Sequence, residues 1–344
     1  MKFILIVILT MATFFSGCSK VKKVKINKEI KNEGNADNYR KQKYLFGKVK
    51  LLKVINYKAI EKFGKITYGP IKENHTVFIN NKGEIIETTI YDSLGIYEEK
   101  FLSKYDTRGN KIEYNIYNKY NKLKSKITYH YDKKDNLLER SRYNSDGSLS
   151  EKTHYVYDTR NNKIEENVFN SKSGNKSTFI YDKKNRIIKS NVYNSSDKLI
   201  SNFKYDKQGR KIEMYKQYTL KNVLFQDGIN IYDKKGNEIE NDYYNNKILE
   251  SKRIYKYNNN GQISEDETYN LDGSFYGKIT YYYDDFGNLT KRKEFVKGNV
   301  LFKEKTDIIE HHYEYDNNNN WTKDIFYENK IPIEITEREI EYYK

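Results

Sequence analysis

Tyr105-Asp106-Thr107-Arg108-Gly109-Asn110-Lys111-Ile112-Glu113-Tyr114-Asn115-Ile116-Tyr117 contains, in order, a tight turn and a strand. Asp106 is the short acceptor that opens a type I turn by taking backbone N–H groups, and Gly109, three places on, is the residue that enters positive φ at least cost. A type I turn followed by one left-handed residue forms a bulged hairpin whose twist suits the strands it joins. From Lys111 to Tyr117 polar and apolar residues alternate, the period of a half-buried strand.

The same phrase opens at Ile79, Tyr105, Tyr131, Tyr157, Tyr181, Tyr205, Tyr232, Tyr257, Tyr283 and Tyr315. Asp or Asn always follows, and Gly, Asn or Asp always stands at the left-handed position, as in Gly83, Asp135, Asn161, Asn185 and Gly236. Internal repetition at this period marks an architecture of stacked supersecondary units. A second aromatic such as Tyr91, Tyr143 or Tyr269 comes twelve residues into most copies and usually opens a looser turn, as in Asn144-Ser145-Asp146-Gly147. Two turns per copy give two strands per copy, so the sequence predicts an all-β chain: an extended antiparallel meander of ten repeats over 79–344. No helix is expected after residue 40.

Composition shapes that meander. Hydrophobic residues make up 37% of the chain, and Tyr alone supplies 35 of its residues. Such a chain cannot fill a deep two-layer core of aliphatic side chains. The expectation is a long sheet covered by Tyr, whose ring packs while its hydroxyl reaches water. Inherent twist should coil so many strands into a spiral or an open tube-like sheet. Residues 44–78 read as an N-terminal cap of imperfect strands covering the sheet edge, and Pro332 fits an edge strand, where a missing donor does no harm.

Residues 1–17 have the layout of an export signal: Lys2, an apolar stretch from Phe3 to Phe15, then Ser16-Gly17 before Cys18. Phe15-Ser16-Gly17-Cys18 resembles the bacterial lipobox, in which the cysteine carries diacylglycerol and becomes the new N-terminus. Cys18 is accordingly the expected lipid-attachment residue and the membrane the expected first partner, since two or three acyl chains anchor stably where one does not. Ser19 after the cysteine resembles outer-membrane sorting, so the cell envelope, with the outer membrane ahead of the inner, is the expected location. Residues 18–43 read as the lipidated Cys and a flexible basic tether.

The Tyr-Asp-x-x-Gly-Asn spelling resembles the YD repeat of the rearrangement-hot-spot and teneurin families. That resemblance covers about 79–344 and implies a spiralling β-sheet that can close into a shell, in proteins serving as toxin cocoons, adhesion modules or glycan-contacting surfaces. The large family members also carry a Pro- and Gly-rich segment and a variable tip after their repeats, whereas this chain has two prolines, Pro70 and Pro332.

Chemistry is sparse. The histidines, His75, His130, His154, His311 and His312, form no ligand-spaced set, and adjacent His311 and His312 should face opposite ways on a strand. No nucleophile motif, zinc motif or phosphate-binding loop is present. The expectation is therefore no metal, no cofactor and no enzymatic activity. A column of Glu87, Glu113, Glu139, Glu165, Glu213, Glu240 and Glu265, interrupted by Lys189, Lys291 and Lys323, reads as a cross-strand charge ladder rather than as catalytic carboxylates.

Repeated Tyr could alternatively stack sugar rings. The candidate stacking aromatics are Tyr129, Tyr131, Tyr155, Tyr157, Tyr281, Tyr283 and Trp321, although packing alone also explains them. The net charge of +15 is spread evenly, which argues against a nucleic-acid groove. The sequence thus points to a non-enzymatic, lipid-anchored envelope protein presenting a surface for glycan or protein, or filling a structural role. An accessory or immunity component of a toxin system is the alternative.

Overall fold

The computed structural model describes residues 45–170, 174–197, 199–208, 210–218, 224–245, 248–298 and 303–344. The signal segment 1–17, Cys18 and the tether 18–43 lie outside the described residues. Within them are 22 strands and no helix, numbered along the chain from β1 (Val49–Lys62) to β22 (Ile331–Tyr342). The chain is a repeat-type all-β meander, each strand antiparallel to the next.

The hairpins form for the local reasons the phrase predicts. At each described left-handed position φ is positive, including 89° at Gly109, 66° at Asp135 and 64° at Asn161. Asp106 Oδ1 accepts the N–H groups of Arg108 and Asn110, both at 2.9 Å, while Gly109 N–H donates to Asp106 O at 3.1 Å. Tyr105 then opposes Lys111 across a register shift, and the same bulge recurs at Tyr131 with Leu137 and at Tyr283 with Leu289. Several second turns, expected to be looser, use the same hydrogen bonds: Gly95 N–H to Asp92 O at 3.0 Å and Gly273 N–H to Asn270 O at 3.0 Å.

Two features separate this sheet from an open spiral. β22 pairs with β1 from Val49 opposite Tyr342 to Lys58 opposite Glu334, in addition to its pairing with β21 (Trp321–Glu328). The meander therefore returns on itself, and every strand has a neighbour on both sides over at least part of its length. At about 4.8 Å per strand its 22 strands give a circumference of about 105 Å and a width of about 34 Å before tilt. Second, β1 and β2 (Lys65–Ile79), read from sequence as cap strands, are the longest strands and belong to this ring.

Pro332 lies just past the last residue that pairs with β1, so the missing donor ends the seam there. The free edge is elsewhere. β2 pairs with β3 (Ile85–Tyr91) through Asn74–Ile79 alone, leaving Lys65–Glu73 bonded on the β1 side only. Pro70 sits in that open stretch, where it discourages further strand addition.

Among the described residues no second layer covers the sheet: most strand residues on both faces are only half-buried. The main buried aliphatic cluster is Leu45, Val49, Leu52, Val54, Val77 and Ile79, where the first strands meet the last.

Candidate binding surfaces on the two faces

Strand alternation gives each face its own chemistry. One carries the charge ladder. Glu113 accepts from Lys104 at 2.7 Å and Lys126 at 2.8 Å, on the strands either side, and from Asn115 Nδ2 at 2.8 Å. Glu139 pairs with Lys152 at 2.9 Å and accepts from Ser141 at 2.8 Å; Glu165 pairs with Lys176 at 3.0 Å; Glu240 pairs with Lys252 at 2.6 Å. These contacts hold the Glu113, Glu139 and Glu165 carboxylates below their ordinary range. Hydrogen bonds from Lys104 and Lys126 bring Glu113 from 4.5 to about 2.

Because folded Glu113 binds its proton less tightly than the unfolded chain does, its contribution is fully present above about pH 4.5 and is lost as pH falls towards about 2. Glu113→Gln should flatten the acid limb of stability against pH in that window. A melting series in which the variant and the parent lose stability in parallel between those values would refute this.

The other face carries the aromatic column. Tyr129 is 5% exposed and Ile127 beside it is fully buried. Tyr155 is pushed up to about 12 by burial and by nearby Glu166, with Lys163 Nζ lying 5.4 Å from its ring centroid. Tyr281 is also raised by burial, and it lies beside the pair in which Arg253 binds Asp266 through both guanidinium and carboxylate ends.

The phrase-opening Tyr residues behave differently from expectation. Their hydroxyls do not end in water. Tyr131 donates to Lys111 O at 3.0 Å, Tyr157 to Leu137 O at 3.0 Å and Tyr283 to Ile263 O at 2.9 Å. In each case the acceptor is the residue at the bulge of the preceding phrase, where the ladder is disrupted and a carbonyl is open. Tyr131→Phe should therefore cost about 0.5 to 1.5 kcal/mol, read as a shift in the denaturation midpoint, although it removes no carbon from the packing. An unchanged midpoint would place that hydroxyl outside the stabilising contacts.

Turn residues also brace one another, which the sequence reading missed. Asn110 Nδ2 donates to Asp135 Oδ1 at 2.7 Å and Asn162 Nδ2 to Asn185 Oδ1 at 3.1 Å. Arg160 reaches Asp182 O at 3.0 Å and Arg210 reaches Asp233 O at 2.7 Å. Asp or Asn in place of Gly at the left-handed position thus provides an acceptor for the preceding turn.

Trp321 belongs to a cluster of polar and aromatic side chains at the seam. It is 8% exposed, with Arg338 Cζ 3.1 Å from its ring centroid and Tyr313 at 5.7 Å. Asp324 accepts from His311 at 2.7 Å, and His311 also meets Phe326. His312 instead meets Tyr327, so the adjacent histidines do face opposite ways. Burial and the charge of Arg338 lower His75 to about 4, and burial lowers Arg338 to about 9. The clamp is completed by Asn320, which receives Phe46 N–H at 2.7 Å and donates to Phe46 O at 2.9 Å and to the Tyr342 hydroxyl at 2.7 Å.

The seven candidate stacking aromatics share the sheet without converging on one pocket: Tyr155 and Tyr157 line an open hollow with Asp132, Lys134 and Asn161, while Tyr129 and Trp321 are buried in the wall. The more exposed rings in the strands are Tyr68, Phe169, Tyr276 and Tyr282. No group of three or more His, Cys, Asp or Glu among the described residues is placed to hold a metal.

No family model matches this chain, and no curated protein does. Among solved structures it is similar to the complex described as TcdB2-TccC3, at 10% identity and a TM-score of 0.29 over 81% of this chain and 18% of that one. It is also similar to a porin-like protein from Bacteroides uniformis, at 10% identity and a TM-score of 0.27 over 85% and 98%. The chain spans about a fifth of the length of the TcdB2-TccC3 chains it matches. At these scores neither likeness carries an argument.

Proposed function

We propose that this is a non-enzymatic, lipid-anchored envelope protein whose repeat ring acts as a structural and binding surface for glycan or protein. The observation that supports it most is the use of the recurring charges. Carboxylates that return once per repeat are matched by Lys from neighbouring strands and held ionised, so they stabilise an extended wall instead of converging on a reaction centre.

The anchor is tested by feeding cells a fatty-acid probe: the parent should be labelled and Cys18→Ala should not. Persistent label in Cys18→Ala would remove lipidation from the reading. The surface is tested by offering the purified full chain to a glycan array and to envelope extracts. Sugar binding reduced by Tyr276→Ala and Tyr282→Ala, two exposed rings of β18 (Phe275–Tyr283), would support a glycan surface. Absence of sugar binding together with a tight protein partner encoded beside a toxin would favour the accessory or immunity role. Turnover of a substrate by the purified chain would overturn the non-enzymatic assignment.

A further inference from the structure

The two rims of the ring are built from the same turn but not from the same residues. The rim formed by the Tyr-Asp turns presents Asp, Asn, Lys, Arg and Gly at its tips. Its one large apolar tip residue among the described turns, Phe286, packs on Tyr315 at 4.9 Å. The opposite rim, reached by the alternate hairpins, puts Phe63, Leu94, Tyr120, Leu271 and Ile331 into solvent. Phe63 is wholly exposed, Leu94 is 79% exposed and Tyr120 is 70% exposed.

Turn geometry does not require those residues. Leu94 in Asp92-Ser93-Leu94-Gly95 occupies the position filled by Arg108 in Asp106-Thr107-Arg108-Gly109, within the same hydrogen-bonded turn. Phe63 is the sharper case, since it holds φ at +52°, a conformation that Asn or Gly adopts far more cheaply. A bulky side chain kept in a strained backbone at a fully exposed tip points to use of that side chain.

We propose that this apolar rim docks on an anionic lipid surface. Successive turns on one rim are two strands apart, about 10 Å, so the tips are isolated apolar points separated by polar turn backbone. A protein partner would need a matched pit for each, whereas a fluid interface receives separated points at differing heights. Charge agrees at three tips: Phe63 lies between Lys62 and Lys65, Tyr120 between Lys119 and Lys122, and Ile331 follows Lys330. Apolar and aromatic tips flanked by Lys are the composition of interfacial binding segments. The Asp residues on this rim, such as Asp92 and Asp272, are turned to their own backbone, Asp92 Oδ1 accepting Leu94 N–H at 2.8 Å and Asp272 Oδ1 accepting Ser274 N–H at 2.9 Å. β1 leaves the polar rim, so the N-terminal segment joins the ring at the opposite end and this contact is separate from the proposed anchor.

The test places one environment-sensitive fluorophore at a time in the full chain carrying Cys18→Ser, at Leu94→Cys or Tyr120→Cys on the apolar rim and at Arg108→Cys or Lys134→Cys on the polar rim. Vesicles of phosphatidylcholine with phosphatidylglycerol should blue-shift the first pair and leave the second unchanged, which also separates rim insertion from any attachment through the apolar residues 3–15. Phe63→Asn, which relieves the turn, should raise thermal stability while lowering vesicle association. Equal shifts on both rims, no shift at either, or protection of the apolar rim by envelope proteins without vesicles would each overturn the proposal.

Discussion

Asp266→Ala is expected to destabilise the ring by about 3 kcal/mol, the low end for breaking a buried ion pair because Arg253 keeps part of its side chain in solvent. Asp266 is 1% exposed on the aromatic face, where Arg253 Nε donates to its Oδ1 at 3.1 Å and the other guanidinium arm reaches Oδ2. The Arg253 guanidinium also lies over the Tyr255 ring, 5.5 Å from its centroid. Removing the carboxylate leaves a half-buried guanidinium whose lost hydration is no longer offset, which costs more than the pair contributes when intact. The discriminating control is the double variant Asp266→Leu with Arg253→Met, which removes both charges at similar volume and should recover most of the loss. Chemical denaturation of the three variants measures this. If the double variant falls as far as Asp266→Ala, the loss is one of shape and not of an unpaired charge.

Ile335→Ala should cost about 2 to 5 kcal/mol, and it should do so at the seam. Ile335 is 1% exposed, opposite Tyr57 of β1 and Ile325 of β21, so it fills the place where the last strand meets the first. Repeat sheets transmit stability mainly between neighbours, so the damage should concentrate there. Hydrogen exchange is the suitable measurement. Amides of β1 and β22 should lose protection together, while those near Glu165 and Thr178, far round the ring, should change little. Loss confined to β22 with β1 intact would contradict a seam held by both strands.

Much of this fold was legible because its causes are local. Positive φ at Gly109, Asp135 and Asn161 is a requirement that only a few residue types meet, and Asp106 satisfies its turn with atoms two and four residues away. The charge ladder was legible for a similar reason, since hairpin pairing places Glu113 beside Lys104 and Lys126 once the turns are known. The partners of the Tyr hydroxyls were not legible. Tyr131 reaches Lys111 O only because a bulge opens that carbonyl and the intervening hairpin brings it within range. The stacking of Arg338 on Trp321 was not legible either, since Arg338 comes from the next strand and the burial at the seam is set by β1.

The sequence by itself determined the turns, the two strands per repeat and the antiparallel order, because each of these is settled within about 26 residues by backbone conformation and hydrogen bonding. Only the tertiary structure decided that β22 lies against β1, that His75, Asp324, Trp321 and Arg338 gather at that seam, and that Phe63, Leu94, Tyr120, Leu271 and Ile331 share one rim. Those outcomes depend on twist summed over 22 strands, a quantity to which every hairpin contributes a little and no single phrase specifies.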